Sequence, residues 1–375
     1  MSKWSRCILA VMAVVLFVAG SGWSATKKIE PLRIGQKAPF FKLPGVDGRN
    51  YRLTDFAKAD ILVVIFTCNH CPTAQAYEER INKLAADYKN KGVAVVAISP
   101  NDPRAVRLDE LGYSDMSDSL EDMKIRAKDR AFKFPYLYDG DRQRASRAYG
   151  PVSTPHVFIF DRQRKLRFVG RIDDSEKLER VKSHDTRNAI DALLAGKNVP
   201  IEKTRTFGCS VKWSSKRDSV RKAFEKWAKE KVTLEMIDAD GVRELAKNGS
   251  DKLRLVNVWA TWCGACVIEF EEFVNINRMY RRRDFELITI SADLPTRKDK
   301  VLSFLKAQQA SCKNYIFASE DKYALMEALD KESLGGIPYT ILIKPGGEIM
   351  YRHVGLIDPL ELKKVIVGYL GRYYE

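Results

Sequence analysis

One pattern occurs twice in this chain, and it limits the fold more than any other feature. ILVVIF (61–66) is a β-branched run that reads as a buried strand. It leads straight into TCNHCP (67–72), and AQAYEERINKLAADYKN (74–90) then carries apolar residues at helical spacing. VAVVAIS (93–99) reads as the next strand, a helix is expected near 118–131, and YLYD (136–139) follows. GPVSTPHVFIFD (150–161) places a proline directly before a strand, LRFVGR (166–171) is that strand's partner, and TRNAIDALLAG (186–196) closes as a helix with a glycine stop.

The second half repeats the order. LRLVNVWA (253–260) is a strand, TWCGAC (261–266) supplies the second C-x-x-C, and IEFEEFVNINRMY (268–280) continues as a helix. FELITISAD (285–293) is a strand, and helices are expected over 297–310 and 321–330. GGIPYTILIKPGG (335–347) and EIMYRHVG (348–355) form a hairpin around Pro345-Gly346-Gly347, and DPLELKKVIVGYL (358–370) is the last helix. Alternating strands and helices imply α/β layers, and the closing hairpins make each central sheet mixed. The pattern breaks near Lys212–Arg217, so domains are expected over residues 30–213 and 218–375.

Lys3 and Arg6 precede the apolar run 7–20, and small residues follow at 21–25. This is the layout of a signal peptide over residues 1–24, cleaved after Ser24. The run is shorter than the roughly 20 residues of a membrane span. A membrane enters the expectation only if the segment stays uncleaved as an anchor. The expected location is periplasmic or otherwise extracytoplasmic. Of seven cysteines, Cys7 leaves with the leader, and six remain where disulfides persist. The net charge of +15 is scattered along the chain. Arg281-Arg282-Arg283 reads as a solvated helix end, and no nucleic-acid motif accompanies it, so no nucleic-acid partner is expected.

A C-x-x-C at a strand-to-helix turn puts its first cysteine at the helix N-terminus. Unpaired N–H groups and the macrodipole there favour a thiolate. Cys68 and Cys263 are thus the expected nucleophiles, with Cys71 and Cys266 one turn on as resolving thiols. Half a zinc site is the alternative for either pair. Copper or zinc held by Cys68, His70 and Cys71 is the alternative for the first. A purely structural bridge across two residues would restrain little of the unfolded chain. No metal and no cofactor is expected. A histidine cation beside Cys68 would stabilise the thiolate, and so the reduced form. The first pair is therefore expected to be the more oxidising, because Gly264 and Ala265 bring no charge to the second.

WATWCGAC (259–266), together with IPYTILIKPGGEI (337–349), resembles a thioredoxin domain, above all in the extracytoplasmic TlpA/ResA group of thiol–disulfide oxidoreductases. Glu269 matches an acidic position of that group and would tune thiol protonation if buried. Asn257 departs from thioredoxin, which has an acid there. FTCNHCP (66–72), AISPNDP (97–103), FPYLYD (134–139), STPHVFIFD (153–161), GRIDDS (170–175) and TRTFGCSVKW (204–213) resemble the peroxiredoxin-like redoxins of the AhpC/TSA superfamily. Ser153 departs from the cysteine expected before Thr-Pro in many of those relatives.

The resemblance implies two tandem thioredoxin-like domains, with Pro155 and Pro338 as cis-prolines facing the C-x-x-C pairs. The backbone at Thr154 and Ile337 would be free to pair with an extended substrate strand. It further implies an exported thiol–disulfide oxidoreductase acting on protein thiols and disulfides. An upstream membrane or periplasmic electron donor would feed it, with relay between the halves or separate partners for each. A reducing role, in cytochrome c maturation or thiol quality control, is the family implication.

Peroxide reduction is the competing reading. Its pattern P-x-x-x-T-x-x-C is not met, since Thr67 abuts Cys68 and lies four before Cys71, and no proline stands upstream in the matching place. Cys209 and Cys312 carry no role, and buried free thiols are expected. A Cys209–Cys312 disulfide is the alternative.

Overall fold

The computed structural model describes residues 29–374, so the expected leader lies outside the described residues. The chain forms two thioredoxin-like domains. In the first, five strands run across the sheet in the order Tyr136–Tyr138, Val93–Ser99, Ile61–Phe66, His156–Phe160 and Leu166–Gly170. The first three are parallel, and the last two pair antiparallel. All six residues of Ile61–Phe66 are buried, because helices cover both faces of a central strand. Ile61, Val63 and Ile65 point into one core layer, and Leu62, Val64 and Phe66 into the other. Burying each such side chain stabilises the fold by about 1.5–3 kcal/mol.

The second domain has six strands in the order Glu235–Ile237, Lys313–Phe317, Phe285–Ser291, Leu253–Trp259, Tyr339–Ile343 and Ile349–Val354. Sequence reading left residues 218–252 unassigned. They supply the helix Arg217–Trp227, the edge strand Glu235–Ile237 and the helix Ala239–Lys247. The edge strand is only three residues long and two of them are exposed, so it lacks a readable period.

Arg281-Arg282-Arg283 is not merely a solvated helix end. Arg282 pairs with Asp109 at 2.7 Å, and Arg283 donates to the Gly112 carbonyl at 3.0 Å and lies over the Tyr113 ring at 4.1 Å. Nearby, Tyr280 Oη donates to the Ser114 carbonyl at 2.8 Å, and Arg372 grips Asp115 at 2.6 and 2.8 Å. Val106 and Leu111 enter the apolar cluster of Phe273, Met279 and Phe285. The loop through Val106–Asp118 of the first domain is therefore clasped by the second. Among the described residues, no helix is long and apolar enough to cross a membrane.

Candidate functional sites

The first centre departs from the sequence expectation at its most important atom. The helix after TCNHCP spans Pro72–Tyr88, and its N-cap is Cys71, not Cys68. Proline has no N–H to lose and a preset φ, so Pro72 fits the first helical position and fixes the start there. In the second domain no proline intervenes. The helix Gly264–Tyr280 begins one residue after Cys263, which caps it, with the Cys266 N–H donating to Cys263 Sγ at 3.2 Å.

The surroundings separate Cys68 from Cys71. Burial raises both thiols, and Cys68 is pushed further up by its hydrogen bond to Cys71 and the nearby Asp118 charge. At Cys71 that burial is outweighed, and the thiol is held well below its usual range. Hydrogen bonds from the Cys209 and Cys68 thiols, the His70 charge and the Ala74 N–H all favour its thiolate. His70 therefore works on Cys71, where sequence reading had assigned it to Cys68. Cys68 Sγ instead lies 3.1 Å from Thr154 Oγ1.

His70 is buried, with Nδ1 2.6 Å from Asp118 Oδ2. Burial lowers the imidazole's proton affinity, but the Asp118 charge and hydrogen bond more than reverse this. Asp118 also accepts the backbone N–H groups of Asn69 at 2.8 Å and His70 at 3.1 Å, and the Asn101 side chain at 2.7 Å. One carboxylate thus ties down the whole Cys68–Cys71 loop. Sequence reading missed Asp118, which lies 48 positions beyond His70 with no local motif.

Cys68, His70 and Asp118 bring ligand-type atoms within 4.8 Å of one another. That trio differs from the Cys68, His70 and Cys71 set read from the sequence. Its carboxylate oxygens are already engaged by four donors.

Thr154–Pro155 and Ile337–Pro338 are both cis. Their edges differ. Ser153–Thr154 is already paired, antiparallel, with Cys209–Ser210 of the same chain. The expected opening for a substrate strand is therefore filled in the first domain. At Ile337, no strand is paired with the backbone among the described residues. Cys209 does not approach Cys312. Its N–H donates to Cys71 Sγ at 3.2 Å, and it joins Cys68 and Cys71 in one small cluster. Cys312 packs against the second domain's apolar core, where burial pushes its thiol up to about 12.

In the second centre Cys263 and Cys266 are joined as a disulfide, whereas Cys68, Cys71 and Cys209 are free thiols. Glu269 is buried on the same helix, three residues after Cys266. Its Oε2 accepts the Ile357 N–H at 2.9 Å, and Oε1 has no partner. Burial raises its carboxyl, against the opposing pull of that N–H and of His353. The nearby Asn257 amide also pulls the Glu269 carboxyl down, and it donates to Thr340 Oγ1 at 3.2 Å. The segments flanking the centre expose Trp262, Leu334 and Leu356.

Residues 34–169 match the AhpC/TSA family, and residues 228–365 match the Redoxin family. A peroxiredoxin-like protein of Mycobacterium tuberculosis is 32% identical over 153 residues, 40% of this chain and 85% of its own length. The chain belongs to the AhpC/TSA family, and its two tandem thioredoxin-fold domains are an AhpC/TSA and a Redoxin domain. The thiol-disulfide oxidoreductase ResA of Geobacillus thermodenitrificans is 24% identical over 191 residues, 49% of this chain and 97% of that protein. The solved structure of a hypothetical protein from Sinorhizobium meliloti 1021 is 34% identical, with a TM-score of 0.44, and covers 50% of this chain and 97% of its own. With these curated relatives, both family matches and two C-x-x-C pairs in two thioredoxin folds, the AhpC/TSA–Redoxin chain is a thioredoxin-like oxidoreductase.

Proposed function

We propose that this chain is an exported thiol–disulfide oxidoreductase whose two centres do different work. The second centre exchanges disulfides with protein partners. The observation that carries this is Cys263 at its helix N-cap, beside a cis-proline edge on which no strand is paired among the described residues. Exposed Trp262, Leu334 and Leu356 give a partner apolar surface to rest on. In the reducing direction the Cys263 thiolate attacks one sulfur of a partner disulfide and forms a mixed disulfide. Cys266 then attacks Cys263 Sγ, the mixed bond breaks, and the partner leaves as a dithiol. Two electrons pass to the partner, and the Cys263–Cys266 disulfide awaits reduction by an upstream donor. Glu269 handles protons for this exchange.

At the first centre Cys71 is the attacking thiolate and Cys68 its C-x-x-C partner. Export rests on the leader pattern at residues 1–24. The clasp between domains supports electron relay between the centres. Cytochrome c maturation or thiol quality control is the duty that fits a reducing second centre.

The test is trapping in cells with Cys266→Ser. Proteins caught in mixed disulfides with Cys263 are expected. An exported variant that traps none removes the exchange reading.

Peroxide reduction at the first centre is the second reading. It is favoured by a buried Cys71 thiolate near a cavity of about 320 Å³ that is lined in part by His70, Cys209 and Tyr374. With Cys71 as the reactive cysteine, Cys68 stands at the position of threonine in T-x-x-C. Thiolate attack would split the O–O bond, leaving a Cys71 sulfenate and an alcohol or water. Stopped-flow peroxide consumption that is lost in Cys71→Ser and kept in Cys263→Ser supports this reading. Equal rates in the two variants reject it.

A further inference from the structure

The cis-proline edge of the first domain is occupied by its own chain, and the occupant is a cysteine. Thr154 is in register with Cys209, and Ser153 with Ser210. In this fold an extended substrate would pair along that edge. Cys209 thus sits where a substrate cysteine would lie. Its N–H points at Cys71 Sγ, 3.2 Å away, and its thiol is hydrogen-bonded to Cys71.

The approach depends on Gly208. This residue has φ +117°, and a Cβ there would come within 2.1 Å of the Thr154 carbonyl oxygen. Only glycine lets the segment come this close. Cys209 is also partly exposed, unlike Cys68 and Cys71. It lines the cavity shared with His70, Lys212 and Tyr374, and the Tyr374 hydroxyl hydrogen-bonds its thiol.

We propose that Cys209 is a third redox-active cysteine, an internal substrate thiol that draws Cys71 into a Cys71–Cys209 disulfide. The proposal rests on the reading of Cys71 as the reactive thiolate. Starting from a Cys68–Cys71 disulfide, the Cys209 thiolate attacks Cys71 Sγ. The Cys71–Cys209 bond forms, the Cys68–Cys71 bond breaks, and Cys68 leaves with the electron pair and takes up the proton that Cys209 gave up. No net electrons are gained or lost. The exchange carries the oxidised state from a wholly buried pair to a sulfur beside the cavity, where the second domain's C-terminal segment lies.

The test uses the full-length chain, reduced and then treated with oxidised glutathione, and maps disulfide-linked peptides without reduction. In Cys68→Ser, Cys71 displaces one glutathione and becomes a mixed disulfide, and Cys209 then displaces the second. A Cys71–Cys209 linked peptide is expected. The unsubstituted chain should give both Cys68–Cys71 and Cys71–Cys209 peptides. Adding Cys209→Ser to Cys68→Ser should leave the glutathione adduct on Cys71. Adding Gly208→Ala instead should slow formation of the linked peptide at least tenfold. A lasting Cys71–glutathione adduct beside a free Cys209 in Cys68→Ser overturns the proposal while leaving Cys71 reactive. If Cys71 takes up no glutathione in any variant, the reactive-thiolate reading fails and the proposal falls with it.

Discussion

His70 Nδ1 lies 2.6 Å from Asp118 Oδ2, and both side chains are buried. This pair holds a positive charge next to Cys71 while Asp118 fixes the backbone of the loop. Asp118→Asn should lose the charge on His70 and part of the loop's restraint. The pH at which Cys71 becomes half-reactive toward a small thiosulfonate should then rise by about one unit or more, a change worth roughly 1.4 kcal/mol. An unchanged profile would show that His70 does not act on this thiol.

The same pair sets a pH window for stability. Asp118 has a lowered folded pKa, so its contribution is present above the unfolded carboxyl value and is lost as pH falls through the folded one. His70 has a raised folded pKa, so its contribution is present below the unfolded imidazole value and is lost as pH rises through the folded one. Urea titrations of the parent and His70→Ala should therefore differ most between those limits and converge toward either side. A constant difference across the range contradicts the linkage.

Glu269 predicts the opposite sign for its substitution. Its carboxyl is raised by burial, so the charged form costs stability once pH passes the folded value. Glu269→Gln should raise the thermal midpoint at pH 7 relative to its effect in acid. It should also remove an inflection, above the ordinary carboxyl range, from the pH profile of reaction at the second centre. Loss of midpoint at pH 7 with the inflection retained would give Glu269 a purely structural role.

The clasp between the domains is testable at Arg372. Removing it leaves the buried Asp115 carboxylate without its bidentate partner, a loss of about 3 kcal/mol. Tyr374, two residues on, should loosen with it. In Arg372→Ala, alkylation of Cys209 should therefore speed up severalfold, with Cys312 as the internal control. Parallel changes at both cysteines would indicate general unfolding.

Much of this was legible because long elements announce themselves. The buried runs 61–66 and 253–259, the two C-x-x-C turns and the prolines before strands are all local patterns. The helix start at Pro72 was legible too. A proline directly after Cys71 marks the first helical position, and weighing it would have placed Cys71 at the cap. Asp118 and Cys209 were not legible. Each reaches the site by a long loop, and the strand Cys209–Ser210 is two residues long, too short to show a period. The arginine run misled because a charge cluster reads as solvated until a partner surface is known.

The central claim is that the two centres use opposite members of their C-x-x-C pairs. Brief treatment of the fully reduced chain with a small thiosulfonate, a little below the ordinary thiol range, followed by peptide mapping, tests it directly. The account predicts that Cys71 and Cys263 are modified first. Modification of Cys68 ahead of Cys71 would contradict it.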